Sequence, residues 1–136
     1  MLFSYAVNVP AGTPANNPVK EDLEIKPGVI KRIEVFFPPG CAAKVNVQIF
    51  SGEYQLMPRN EGGVLKGDNY LAHDEPYYEI YDEPAVLTFK GWAPNAKHNH
   101  EILVYIEVQK PEIIFPELLL INELRRLEQK LRVVPL

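Results

Sequence analysis

Apolar and polar residues alternate with period two through most of this chain, and proline or glycine breaks the alternation about every ten residues. In the first segment Phe3, Tyr5, Val7 and Val9 fall on one side, with Ser4, Ala6 and Asn8 on the other. A rigid connection over residues 10–18 leads to a second strand over 19–25, which Lys26-Pro27-Gly28 turns. Over 29–37 the set Val29, Lys31, Ile33, Val35 and Phe37 opposes Ile30, Arg32, Glu34 and Phe36, leaving Lys31 as a polar interruption of the buried side. Pro38-Pro39-Gly40 stops that strand, and 44–50 starts the next with Val45, Val47 and Ile49 inward. The segments 29–37 and 44–50 are expected to pair in one sheet.

A strand over 53–57 follows Ser51-Gly52, and residues 58–63 open the stretch expected to be least ordered. The loop is expected to run on through 64–74. Three further strands are predicted over 77–81, 85–92 and 100–109, of which the last is the most apolar and is placed centrally. About eight short strands with stiff turns predict a mainly β fold, an antiparallel β-sandwich of jelly-roll type. Thirteen prolines spread along 136 residues suit such a chain.

Beyond Lys110-Pro111-Glu112 the periodicity changes from 2 to 3.6. Ile113-Ile114-Phe115 reads as a connector, Pro116 suits a first helical position, and Pro135 ends the helical region. Leu120, Leu124, Leu127 and Leu131 follow a 4-3-4 spacing that places them on one stripe, with Arg125, Arg126, Glu128 and Lys130 on the other side. The expected organisation is a β-sandwich over 1–110 and a connector plus amphipathic helix over 111–136, an arm for oligomerisation or docking. A helix of about 16 residues is marginal alone in water, so something must pack on it. Three partners are open: its own sandwich, the same stripe on other copies in a dimer or trimer, or a different protein. The stripe spans barely two heptads, short of what a confident coiled coil needs.

The net charge of −4 argues against general binding to nucleic-acid backbone. No membrane span and no signal-peptide pattern is present at Met1–Val7, so a cytoplasmic or virion location without secretion is expected. The single cysteine, Cys41, excludes an internal disulfide framework and reads as a small buried hydrophobe.

Few residues suggest chemistry. Asp68, Asp74, Glu75, Glu79, Asp82 and Glu83 are interleaved with Tyr70, Tyr77, Tyr78 and Tyr81 in a stretch without lysine or arginine. Clustered carboxylates could ligate calcium and exposed rings could stack on a sugar, but no Asp-x-Asp-x-Asp-Gly loop is present, and a solvated acidic rim is the simpler reading. Trp92 reads as a packing residue, with ligand stacking as the minor alternative. His98 and His100, joined by His73, are weak candidates for a metal site of cupin type, since no histidine occurs before Gly52. No nucleophile elbow, phosphate loop or dinucleotide fingerprint is found, so neither an enzyme nor a cofactor is expected.

The stretch Ala11-Gly12-Thr13-Pro14-Ala15-Asn16-Asn17-Pro18, with Gly28-Val29-Ile30, Phe37-Pro38-Pro39-Gly40-Cys41 and His100 leading the last strand, resembles small β-proteins associated with phages. These are similar in size and pattern to capsid decoration and minor virion proteins. The resemblance spans roughly residues 7–108 and implies a non-enzymatic subunit that multimerises, as a trimer or dimer, and binds a larger assembly such as a capsid. It carries no site residue over. Met1–Val9 is left open as either an internal strand or one added to a neighbour's sheet. A carbohydrate- or calcium-dependent binding module using residues 68–83 is the alternative.

Overall fold

A computed structural model describes residues 1–114 and 116–133. The strands are β1 (Leu2–Val9), β2 (Val19–Ile25), β3 (Gly28–Phe37), β4 (Asn46–Ser51), β5 (Tyr54–Met57), β6 (Tyr70–Asp74), β7 (Tyr78–Ile80), β8 (Ala85–Trp92) and β9 (His100–Gln109). Two helices follow, α1 (Pro111–Ile114) and α2 (Pro116–Val133). One sheet has the order β1-β9-β3-β6, with β7 also on β3, and the other has β2-β8-β4-β5. Every pairing is antiparallel.

β6 pairs with Ile33–Phe37 and β7 with Gly28–Ile30, so the two share one edge position along β3. Nine strands therefore fill eight positions, and the chain crosses between sheets as in a jelly roll. This corrects the expected pairing of 29–37 with 44–50. β3 lies in the first sheet and β4 in the second, because the connection after Phe37 carries the chain across the sandwich. Ala42 and Ala43 take positive φ there, at 50° and 56°, a reversal strong enough to separate consecutive strands.

The inward sets of the alternating segments form the core. Val7, Val9, Leu23, Ile33, Val35, Phe37, Val45, Val47, Ile49, Leu87, Phe89, Ile102, Val104 and Ile106 have no exposed surface. Lys31 does not interrupt this set, because β3 shifts register against β9 between Ile30 and Arg32. The bulge absorbs Lys31 as an extra residue, so Ile30 and Ile33 both face inward. Gly28 closes this end of the sheet, where an added Cβ would lie 2.7 Å from the Gln109 carbonyl oxygen.

Two contacts clamp the open sides of the sandwich. Tyr5 of β1 donates its hydroxyl to the Glu24 carbonyl of β2, and burial together with nearby Glu24 raises its pKa. At the opposite side Tyr54 of β5 stacks on Tyr78 of β7.

Residues 70–74, expected to be loop, form β6, an edge strand with only Ala72 buried, too weakly patterned for alternation to show. Residues 58–63 are held from beneath by Gln55, the one buried polar residue among those described. Its Nε2 donates to the carbonyls of Pro58, Gly63 and Asn60 at 2.7, 3.0 and 3.2 Å, and its Oε1 accepts from Gly62 N at 3.1 Å. β1 pairs with β9 of its own chain over its full length, which makes Met1–Val9 an internal edge strand. Residues 111–114, read as a connector, are the helical turn α1, which lies against β3.

Candidate functional site

The C-terminal helix is the feature that the sandwich leaves unfinished. α2 begins at Pro116, where proline's fixed φ suits a first turn and Glu117 favours the helix amino end. It runs 18 residues, about 27 Å at the α-helical rise. Leu120, Leu124 and Leu127 are 62%, 57% and 53% exposed, and Ile121 is 41% exposed. These described positions of the stripe are thus not covered by its own sandwich. Glu123 and Arg126 pair one turn apart on the polar side. The side chain of Leu131, the fourth stripe position, and residues 134–136 with Pro135 lie outside what is described, as does Phe115.

The outer face of the first sheet carries a second unusual feature. Outward positions align in rows across β1, β9, β3 and β6: Ala6, Leu103, Phe36 and Leu71 in one, and Ser4, Tyr105, Glu34 and His73 in the next. Leu2, Glu107 and Arg32 make a third. Leu103 and Phe36 are half-buried and Leu71 is exposed, so an apolar band crosses a face that solvent would ordinarily keep polar. Below it lies an open depression of about 630 Å³ lined by Met1, Leu2, Arg32, Glu34, Tyr105 and Glu107. Arg32 is engaged there by Glu34 at 2.5 Å and Glu75 at 3.1 Å, and these hydrogen bonds raise its pKa, Glu34 contributing most. The outer face of the second sheet differs, with rows Lys20-Lys90-Gln48 and Asp22-Thr88-Phe50, and Lys90 sits over the Phe50 ring at 4.3 Å.

The sequence reading missed this band. Its signal was present in the 100–109 segment, where Leu103 and Tyr105 occupy the outward set of a strand whose inward set is already apolar. Two such residues, in an outward set that also holds Glu101, Glu107 and Gln109, mark a local apolar patch on a face otherwise polar.

The acidic and tyrosine-rich region does not form one platform. Tyr78 is committed to its stack on Tyr54, with ring centroids 5.7 Å apart and planes 8° from parallel. Tyr70, Tyr77 and Tyr81 are exposed at separate places along the β6–β7 edge, and Trp92 ends β8 in the other sheet, half-buried on the outward side. Burial, with Glu79 nearby, raises the Tyr81 pKa. Asp74 is taken by Arg59, at 2.7 and 3.0 Å, and Glu75 by Arg32.

Asp68 is turned inward on the backbone, accepting from Gly40 N at 2.8 Å and Ala42 N at 3.1 Å. The amides of Ala42 and Gly40, with a smaller effect of His100, hold its carboxyl below the ordinary value of 3.8. Cys41, 1% exposed in the same turn, has its thiol pushed up by burial and by Asp68, the opposite of an activated nucleophile. His73 sits on the outer face of β6, His98 on an exposed turn and His100 at the start of β9 near Gly40. Among the described residues no three His, Cys, Asp or Glu side chains converge as a metal site would require, so these histidines and carboxylates are not gathered. No described helix is long and apolar enough to cross a membrane.

No family model and no curated protein matches this sequence. The solved structures that match include two distant likenesses. Hydroxypropylphosphonic acid epoxidase from S. wedmorenis, in complex with fosfomycin, is 7% identical with a TM-score of 0.39, over 76% of this chain and 42% of the epoxidase. This chain thus spans less than half of that enzyme's length. FLHE is 12% identical with a TM-score of 0.40, over 80% of this chain and 96% of FLHE. Likenesses at this level carry no argument about activity.

Proposed function

We propose that this protein is a non-enzymatic structural subunit that multimerises through α2 and joins a larger protein assembly, with a virion as the setting that its phage-like sequence pattern suggests. The observation that carries the reading is the exposure of Leu120, Ile121, Leu124 and Leu127 on α2. A helix of this length is marginal in water unless its apolar side is buried, and a second copy of the chain is a partner that can bury it. The stiff, proline-rich connections favour such a role, because ordered loops lose little entropy when contacts form.

The magnitudes limit how the helix can act. Burying four leucine or isoleucine side chains yields roughly 6–12 kcal/mol, at about 1.5–3 each. Association costs roughly 4–15 kcal/mol in lost freedom. The stripe alone therefore comes close to break-even, and a stable oligomer needs further contact area from the sandwich.

Light scattering behind a sizing column tests the reading. The full chain is expected at a multiple of its 15.5 kDa mass, and Leu124→Asp with Leu127→Asp is expected to return it to monomer without loss of β structure. A full chain that runs as a monomer at all concentrations contradicts it.

A further inference from the structure

We infer that α2 of one copy docks across the outer face of the β1-β9-β3-β6 sheet of a second copy. The inference rests on the proposed multimeric role and names the surface it uses. A four-strand face is roughly 15–20 Å wide, so α2, at about 27 Å, is long enough to cross it. The band Ala6, Leu103, Phe36 and Leu71, with Leu2 and Tyr105 in the lining of the depression beside it, offers an apolar strip to the leucine stripe. On the second sheet Val86, Phe50 and Trp92 face outward in separate rows, among Lys20, Lys90, Gln48, Asp22 and Thr88, and do not join into a band.

Charge points the same way. On the acceptor face Arg32 is already engaged by Glu34 and Glu75, while Glu107 accepts only from Gln109 Nε2 and pairs with no cation among the described residues. Glu101 adds a further carboxylate at an outward position. On the helix, Arg126 is held by Glu123, but Arg125, one turn beyond Ile121 and on the polar side of the leucine stripe, has no ion pair among the described residues. A helix whose leucine stripe widens through Ile121 toward an arginine thus meets an apolar strip bordered by carboxylates. A two-stranded pairing of the helices would instead rely on barely two heptads.

Cross-linking of the full chain tests this placement. Leu103→Cys and Leu124→Cys chains are co-expressed and treated with a bis-maleimide of about 10 Å reach, a span comparable to the spacing of a helix packed on a sheet. The unsubstituted protein, whose Cys41 is buried, serves as background. The expected product is a heterotypic dimer joining sheet to helix, as the dominant cross-linked species, lost when Glu107→Arg is added and restored by Arg125→Glu. A Leu124-to-Leu124 product without the heterotypic one overturns the placement but leaves the multimeric reading intact. A cross-link formed within one chain carrying both cysteines, at monomer mass by light scattering, overturns both.

Discussion

Tyr54 and Tyr78 lie on edge strands of different sheets, yet their rings stack 5.7 Å apart and 8° from parallel. The pair closes the open side of the jelly roll that lies opposite the Tyr5–Glu24 contact. Because Tyr54 is 57% exposed, the stack is a surface clasp and not part of the core. Tyr54→Ala and Tyr78→Ala are each expected to lower stability, and their double-mutant cycle in urea unfolding should show a coupling of about 0.5–1.5 kcal/mol.

Gln55 is a harsher site. Gln55→Leu keeps the approximate volume but removes three donated hydrogen bonds and two accepted ones, and leaves the Pro58 carbonyl and the Gly62 amide without their Gln55 partner. The expected loss is about 2–3 kcal/mol, read as a lower urea midpoint with an unchanged slope.

Asp68 gives the fold a pH dependence of known sign. Its folded-state pKa lies below the ordinary 3.8, so the stabilisation is present above that value and is lost as pH falls through the lower folded one. Asp68→Asn should therefore be less stable than the parent protein near neutral pH, and the difference should shrink as pH falls below about 4. Thermal unfolding across that range is the check. A gap that stays constant with pH would mean that the carboxylate charge contributes nothing.

Gly28→Ala brings a Cβ to 2.7 Å from the Gln109 carbonyl oxygen and 3.0 Å from a Val108 methyl. The obstacle at 2.7 Å is backbone and cannot swing aside. A cost of about 1–3 kcal/mol is expected, measured as a lower melting temperature.

Much of this architecture was legible in the sequence because a half-buried strand writes its burial into alternate residues. Val19–Ile25, Val45, Val47 and Ile49, and the inward set of residues 100–109 were all readable in this way. The reading went astray where burial is slight or local geometry resets the register. β6 shows one buried residue and so reads as loop, and the bulge at Lys31 breaks a period of two that continues unbroken in the sequence. The sheet partners of β3 could not be read either, since alternation fixes which residues face inward and not which strands are neighbours. The leucine stripe was plain from its spacing. The apolar band that could receive it was not, because Ala6, Leu103, Phe36 and Leu71 come from four strands and become neighbours only in the folded sheet.

The decisive test of α2 as the assembly element is the native mass, over a range of concentrations, of the full chain and of a chain ending at Gln109, with circular dichroism to confirm that the truncated sandwich keeps its β structure. A multimer that becomes a folded monomer on truncation is the predicted result. A multimer that survives truncation unchanged, or a full chain that is monomeric throughout, would contradict it.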